Sequence, residues 1–320
     1  MTTAHLETRL IADRFRPVLT GLANGAVALA DRIRRGGVDA GPPPPDQAAD
    51  GLFATALQDA DLRWMTSSRQ PQIRAMQAEG TLALALDPLD GAAGLETNAP
   101  VGTIFAIFPA EDTPEASFLR PARQMLAAGY VLYGPRCCLV LSFGKGTQIY
   151  GLDPESQRFM LVRDGVTLPA ASPEFAIDAS DYRHWSRPVR AYIDDCLAGT
   201  EGPRAHDFNM RWIGALAAEA HRILTRGGIF LDPANGRPGA ERGRLRMLHQ
   251  AAPVAFLIEQ AGGRATDGAL PVLDAPITAL DARSPLIFGS ADKVDRVASY
   301  HDLPEAEVSA LFGHRGLFRA

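Results

Sequence analysis

The sequence LALALDPLDG occupies residues 82–91 of the chain. Its leucines alternate with alanines as far as Asp87, which predicts a β-strand that ends at two carboxylates. Asp87 and Asp90 are followed by Gly91, so both side chains can converge on one hard cation while the next backbone N–H groups face an anion. A turn in which the two aspartates cap backbone N–H groups accounts for the same residues. The stretch alone leaves both interpretations open.

Further apolar runs indicate that strands and helices intermix along the chain. Residues 101–108, VGTIFAIF, predict a second buried strand. Other predicted strands are 130–133, 137–143, 148–152, 159–162, 228–231 and 285–288. Apolar residues at three- and four-residue spacings predict helices at 6–35, 52–57, 189–197, 212–225 and 253–260. The predicted fold class is therefore α/β (α+β), a layered sandwich of alternating helices and sheets.

Two features interrupt the helical pattern in the N-terminal part of the chain. Gly36 and Gly37 are expected to end the first helix. Four prolines follow at residues 42–45. Because proline lacks a backbone N–H, the proline run predicts an exposed, extended linker.

The composition excludes several classes of protein. The 320 residues include 32 Lys and Arg against 37 Asp and Glu, a net charge of −5, and 46% of the residues are apolar. A disordered chain would be poorer in apolar residues, and a nucleic-acid-binding protein would usually carry a basic surplus. No run of about 18 uncharged apolar residues is present, and the N-terminus lacks an apolar leader. We therefore expect a cytoplasmic protein that binds neither membranes nor nucleic acid.

The three cysteines are Cys137, Cys138 and Cys196. Two of them are adjacent, and the set has neither the spacing of zinc ligands nor the pattern of a disulfide framework. We expect them to be reduced.

Four blocks of sequence follow one another at characteristic spacings. The first joins DPLDG at 87–91 to VGTIF at 101–105, and the others are AAGYVLYG at 127–134, RILTRGGIF at 222–230 and GRLR at 243–246. Each block is weak alone, but the order and spacing of the set resemble the class 1 fructose-1,6-bisphosphatase family. The resemblance runs from about Arg14 to His314. It implies a sugar-phosphatase fold, with an N-terminal metal-binding phosphatase domain at 1–180 and a C-terminal domain at 181–320 that completes the substrate site.

The resemblance also implies an activity and an assembly. The reaction is a Mg²⁺-dependent attack of water on the 1-phosphate of fructose 1,6-bisphosphate, in gluconeogenesis or the Calvin cycle, by a cytoplasmic homotetramer. Asp87 and Asp90 match catalytic, metal-binding carboxylates of the family, and the backbone carbonyl of Leu89 matches a further metal ligand. Arg244 stands where the family often has a substrate-binding lysine. Arg211 matches an arginine that reaches the 6-phosphate from a neighbouring subunit.

In the family, the turn after the second aspartate holds the reacting phosphate. Here that turn consists of Asp90, Gly91, Ala92 and Ala93. The family usually has Asp-Gly-Ser-Ser at these positions. The alanines keep the backbone amides and remove two hydroxyl donors.

Several other positions depart from the family pattern. Ser67 and Ser68 align with a pair of metal-binding glutamates, and Gln250 aligns with a third. Asp178 replaces an asparagine at the 6-phosphate and Asp232 replaces a substrate-contacting tyrosine. A cluster of two or three Mg²⁺ ions needs several anionic ligands to offset the repulsion between the ions. Asp87 and Asp90 alone predict one bound Mg²⁺, with phosphate and water as its remaining ligands.

These departures predict slow hydrolysis of the bisphosphate, or none. The exchange of glutamate for serine removes a candidate general base, a role typically worth roughly 10²- to 10⁴-fold in rate. Near a phosphate, Asp178 and Asp232 add like-charge repulsion unless Arg211, Arg244 or Arg246 offsets it. The alternative function is a catalytically degenerate paralogue that binds a sugar phosphate as a regulator or assembles with an active homologue.

Overall fold

The computed structural model describes residues 5–36 and 43–301 of the chain. Within these ranges the helices are α1 Arg16–Arg35, α2 Pro45–Ala56, α3 Pro114–Phe118, α4 Arg187–Leu197, α5 Leu216–Arg226, α6 Ala252–Gln260 and α7 Ala291–His301. A π-helical turn, Met247–Ala251, leads directly into α6. No helix of the described ranges is long and apolar enough to cross a membrane.

The larger sheet has eight strands. In chain order they are β1 Leu62–Ser67, β2 Gln70–Ala75, β3 Leu82–Asp90, β4 Val101–Pro109, β5 Ala127–Tyr133, β6 Cys137–Ser142, β7 Thr147–Asp153 and β8 Arg158–Arg163. Their order across the sheet is β2-β1-β3-β4-β5-β6-β7-β8. β1 and β3 run parallel, with Ser67 opposite Leu86, and the other neighbouring pairs are antiparallel. The carboxyl ends of β1 and β3 therefore meet at one edge of the sheet.

A second sheet has five strands. They are β9 Glu174–Ile177, β10 Asn209–Met210, β11 Ile229–Asp232, β13 Arg264–Thr266 and β15 Leu286–Gly289, in the order β10-β9-β11-β15-β13. The short strands β12 Leu245–Arg246 and β14 Arg283–Ser284 pair with each other. Because β9 precedes residue 180, this sheet takes one strand from the segment assigned to the N-terminal domain. The division of the chain at residues 180 and 181 stays a prediction.

Three apolar cores separate the layers. The first lies between α1, α2 and one face of the eight-stranded sheet. The second contains α5 and α6 and lies between the two sheets. The third lies between the outer face of the five-stranded sheet and helices α4 and α7. The resulting order of helix, sheet, helix, sheet, helix confirms the predicted layered sandwich.

The central strands are buried on both faces, as their nearly continuous apolar runs predict. Along β3, the side chains of Leu82, Leu84 and Leu86 enter the core beneath α1 and α2, whereas Ala83 and Ala85 face the core that contains α5 and α6. The small alanines leave room for the helices of the middle layer to lie close to the sheet.

Some predicted boundaries were wrong. The first helix begins at Arg16, not at residue 6, and Pro17 is in its first turn, where a missing N–H costs nothing. α5 begins at Leu216, not at residue 212, because Gly214 has a φ of 86°, a conformation that a helix excludes. Of the predicted proline linker, Pro42 lies outside the described residues. Pro44 is extended, but Pro45 opens α2, because proline suits the first position of a helix.

The cysteines are free thiols, as expected. Cys196 is buried, and Cys137 and Cys138 are partly buried. Burial raises the pKa of the Cys137 thiol to about 12. A thiol with so high a pKa stays protonated and unreactive at neutral pH.

A partly buried contact joins α5 to the eight-stranded sheet. The Nδ1 atom of His221 lies 3.0 Å from the hydroxyl of Tyr130. Burial, with smaller contributions from Arg136 and Arg163, lowers the pKa of His221 to about 4. The imidazole is therefore neutral at pH 7 and can accept a hydrogen bond from Tyr130.

We expect His221 to make the protein less stable in mild acid. Between about pH 6.5 and 4 the unfolded histidine binds a proton that the folded one does not, so the free energy of unfolding falls as the pH falls, by up to about 3 kcal/mol. Above pH 6.5 this contribution is fully present. The variant His221→Gln cannot titrate and should lose this part of the slope when urea unfolding is followed across that range. An unchanged slope would contradict the assignment, and the exposed His206→Gln serves as the control.

Candidate active site

Asp87 and Asp90 lie at the carboxyl end of β3, where a bulge interrupts the pairing with β4. Asp87 lies opposite Ile104 and Asp90 lies opposite Gly102, so three steps on β3 correspond to two on β4. The hydroxyl of Thr103 donates to the carbonyl oxygen of Pro88 at 2.9 Å. A bulge turns side chains away from the regular alternation of a strand. Both carboxylates are buried here, with exposed fractions of 3% for Asp87 and 6% for Asp90.

Asp87 receives a hydrogen bond on each carboxylate oxygen. The hydroxyl of Ser68 lies 2.7 Å from Oδ1, and Nε2 of Gln250 donates to Oδ2 at 2.7 Å. Oε1 of Gln250 accepts from the backbone N–H of Arg246 at 2.9 Å, which fixes the amide with its NH₂ group toward Asp87. The structure thus brings Ser68 and Gln250, two positions predicted to have lost metal-binding carboxylates, together at Asp87.

The other predicted ligand position, Ser67, has a different environment. Its Oγ accepts from the backbone N–H of Arg69 at 3.2 Å. Its side chain lines a cleft of about 170 Å³ with residues that include Asp50, Met65 and Gln72. Because Ser67 precedes Ser68 at the end of an extended strand, the two side chains point to opposite sides.

Asp90 is held by the start of α5. Its Oδ2 accepts from the backbone N–H of Ala217 at 2.8 Å, so the carboxylate lies at the positive end of the helix dipole. Two glycines permit this approach: an added Cβ at Gly91 would lie 2.5 Å from Cβ of Ala215, and one at Gly102 would lie 2.3 Å from Cβ of Ala217. Burial and the charge of Asp87 raise the pKa of Asp90, and the backbone N–H groups of α5 oppose that shift.

The carbonyl of Leu89 has a partner that the sequence analysis missed. Nη2 of Arg69 donates to this oxygen at 3.2 Å. Burial raises the pKa of Asp87, whereas the bonds from Ser68 and Gln250 and the charges of Arg69 and Arg246 lower it. The sequence signal for this role of Arg69 was its position directly after Ser67 and Ser68, which replace two glutamates.

The donors around Asp87 do not fit a cluster of divalent cations. Serine and glutamine are neutral and donate to the carboxylate, whereas a metal needs lone pairs that face it. The carbonyl of Leu89 faces a guanidinium. In the described part of the chain, no three or more His, Cys, Asp or Glu side chains are grouped so that they could hold a metal ion. Of the carboxylates expected at the predicted Mg²⁺ site, those of Asp87 and Asp90 remain.

The predicted phosphate turn follows Asp90 directly. Gly91 has a φ of 72°, and residues Ala92–Leu95 form a single 3₁₀ turn after it. The left-handed glycine reverses the chain, so the turn begins at the same edge of the sheet as the two aspartates. The role of Ala92 and Ala93 in holding phosphate stays a prediction.

The predicted substrate residues Asp178 and Asp232 meet at Arg244. The guanidinium of Arg244 lies 2.6 Å from the carboxylate of Asp232, 3.2 Å from that of Asp178 and 3.4 Å from that of Asp181. Asp181 also pairs with Arg237 at 2.6 Å. Three aspartates around two arginines leave a net charge of −1. Sequence reasoning missed Asp181, which lies three residues after Asp178 in the 3₁₀ turn Ala179–His184 that Asp178 caps.

This network sets the ionisation of its aspartates. Burial raises the pKa of Asp232 despite its pairing with Arg244. Burial also acts to raise the pKa of Asp178, but the bonds from Ser180 and Arg244 outweigh it and hold that pKa below its usual value. Arg244 thus pairs with both of the aspartates whose charge was expected to repel a phosphate.

Arg211 follows β10 and is exposed. Its Nη1 donates to the carbonyl of the adjacent Met210 at 3.0 Å. The side chains of Met210 and Trp212 on either side are 44% and 39% exposed. The role of Arg211 at the site of a neighbouring subunit stays a prediction.

Gly91→Ala should destabilise the protein by about 2 kcal/mol, because the added Cβ would be strained at a positive φ and would push α5 away from Asp90. Urea unfolding measures the change. Gly51→Ala is the matched control, since nothing lies within 4 Å of its added Cβ. In the middle of α2 it should be neutral or stabilising by up to about 1 kcal/mol. Equal effects of the two variants would contradict the close approach of α5.

Arg244→Met should also destabilise the protein by about 2 kcal/mol in urea unfolding, because it leaves three carboxylates with one cation. Adding Asp232→Asn should recover part of the loss by removing one of the charges. Arg264→Met breaks an exposed pair with Asp295 and should cost under about 1 kcal/mol. A double variant less stable than Arg244→Met would argue against repulsion as the cause.

Two family models match the chain. The fructose-1-6-bisphosphatase N-terminal domain matches residues 45–164, and the fructose-1-6-bisphosphatase C-terminal domain matches residues 168–302. The first range contains Asp87 and Asp90, and the second contains Asp178, Arg244 and Gln250. The residues predicted for the site at these five positions therefore lie within matched sequence.

Similar proteins and structures agree with these matches. The chain is 55% identical, over all of both chains, to a Paracoccus denitrificans protein named fructose-1,6-bisphosphatase class 1. It is 54% identical, over 95% of both chains, to one of that name from Cereibacter sphaeroides. The crystal structure of Leishmania major fructose-1,6-bisphosphatase in holo form is similar with a TM-score of 0.85 and 27% identity, over 92% of this chain and 96% of that one. The chain belongs to the class 1 fructose-1,6-bisphosphatase family.

Proposed function

We propose that the chain hydrolyses the 1-phosphate of fructose 1,6-bisphosphate. Water attacks phosphorus, the bond from phosphorus to the sugar oxygen breaks, and fructose 6-phosphate and inorganic phosphate are released. The identity of 55% over the whole length of a protein named fructose-1,6-bisphosphatase class 1 carries this proposal. The alternative of a degenerate paralogue gains nothing from the relatives, since those described above are all named fructose-1,6-bisphosphatases.

Within this proposal the chain binds phosphate through backbone groups. The amides of the turn at Gly91, Ala92 and Ala93 are the donors, because the serines of the family turn are absent. The hydroxyl of Ser68 donates to Asp87 and accepts no proton at neutral pH. The attacking water therefore has no general base here in place of the glutamate of the family pattern. We therefore expect hydrolysis to be slower, by roughly 10²- to 10⁴-fold, than with a general base at this position.

The cofactor is a finer part of the proposal. Mg²⁺ is the metal that the resemblance implies, with the carboxylates of Asp87 and Asp90 and the carbonyl of Leu89 as its ligands. The donor set supports at most one ion. No step of the reaction is assigned to it, because Ser68, Gln250 and Arg69 already hold two of these three groups.

The assembly and the cellular role are further parts of the proposal. We propose a cytoplasmic homotetramer that acts in gluconeogenesis or the Calvin cycle. The exposed side chains of Met210, Arg211 and Trp212 beside the short strand β10 support a contact between subunits there. Such a contact would place Arg211 at the substrate site of the neighbour.

Phosphate release from the purified protein tests the activity. With fructose 1,6-bisphosphate and millimolar Mg²⁺, we expect slow release that is lost in Asp87→Asn. Restoring three carboxylates in Ser67→Glu/Ser68→Glu/Gln250→Glu should raise the rate by roughly 10²- to 10⁴-fold.

Three exposed substitutions, Gln47→Glu/Gln58→Glu/Gln124→Glu, give the same change in net charge away from the site and should leave the rate unchanged. Turnover in the wild type that depends on Asp87 would exclude the degenerate paralogue. A silent wild type beside an active restored variant would exclude the proposed enzyme and favour a protein that only binds the sugar phosphate.

A further inference from the structure

The groups that the resemblance assigns to a metal are occupied by donors of the chain itself. Both oxygens of Asp87 accept hydrogen bonds at 2.7 Å, from Ser68 and from Gln250. The carbonyl oxygen of Leu89 accepts from Arg69 at 3.2 Å. A cation at this position would have to break these bonds before it could bind the same oxygens.

The positive charges near Asp87 also oppose the binding of a divalent cation. Arg69 and Arg246 are the two cations that stabilise the ionised carboxylate. Arg69 follows β1 and reaches across to the end of the neighbouring strand β3. A divalent ion beside Asp87 would be repelled by both guanidinium groups, and burial of the site weakens the screening of that repulsion by water.

The side-chain amide of Gln250 both donates and accepts a hydrogen bond. Its NH₂ group faces Asp87 and its carbonyl oxygen faces the N–H of Arg246. A flipped amide would lose both bonds. The residue therefore presents a donor, not a lone pair, to the carboxylate. It belongs to the π-helical turn Met247–Ala251, a local distortion of a kind frequent at functional sites.

We propose that Arg69, Ser68 and Gln250 form an internal substitute for a bound cation at Asp87 and Leu89, and that the free protein therefore binds divalent cations weakly. The inference rests on the proposed function in that it concerns the cation of the same site. Its test needs no substrate. Weak metal binding and a failure to release phosphate are separate results, because each is measured alone.

The test is the binding of Mn²⁺ to metal-free protein. The EPR signal of the unbound ion measures how much Mn²⁺ is bound. Arg69→Gln removes the guanidinium and should bind Mn²⁺ about tenfold more tightly than the wild type. Arg74→Gln removes an exposed arginine from the adjacent strand β2 and should bind as the wild type does. Arg69→Lys keeps the charge and should also bind weakly.

A second variant keeps the test decisive if loss of Arg69 alters the local fold. Ser67→Glu/Ser68→Glu/Gln250→Glu replaces two donors at Asp87 with carboxylates and should bind Mn²⁺ at least about 100-fold more tightly than the wild type. The surface variant Gln47→Glu/Gln58→Glu/Gln124→Glu controls for net charge and should not. Circular dichroism checks that each variant is folded.

Two results would overturn the proposal. One is a wild type that binds Mn²⁺ as tightly as the variant with three added carboxylates. The other is an Arg69→Gln variant that is folded and binds no better than Arg74→Gln. If the wild type also releases phosphate slowly, the proposed function stands whichever way the metal test falls.

Discussion

The burial of two carboxylates three residues apart is the constraint on which the rest of this site depends. Removing a carboxylate from water is costly unless donors replace the lost water. Asp87 and Asp90 obtain those donors from three elements that are distant in sequence: Ser68 after β1, Gln250 before α6 and the N–H of Ala217 in α5. The start of α5 and the π-helical turn before α6 are thus fixed by the charge at the end of β3.

The same constraint explains where small residues occur. An added Cβ would overlap Ala215 just before α5 at Gly91, and Ala217 within α5 at Gly102. Ala83 and Ala85 line the face of β3 that α5 and α6 cover. Close packing of a helix against a sheet is usual in layered folds. Here it also brings backbone N–H groups to a carboxylate, so packing and charge compensation are one requirement.

The sequence predicted the parts of the fold that local pattern controls. The apolar runs of β3 and β4 are buried as predicted, and the end of α1 at Gly36 was foreseen. β2 was missed because it is largely exposed and polar. The contacts of Arg69 with Leu89, and of Asp181 with Arg244, could not be predicted, since they join residues 20 and 63 positions apart through the tertiary fold.

The bond between Asp90 and Ala217 spans 127 residues of the chain, which has a consequence for the order of folding. Long-range contacts form late because closing a long loop costs entropy. The eight-stranded sheet is complete at residue 163, yet Asp90 gains its donor only when α5 has been made and has docked. During synthesis Asp90 in the nascent N-terminal half therefore has water in place of Ala217 as its donor, and Asp87 gains its bond from Gln250 only after the chain beyond α5 has been made.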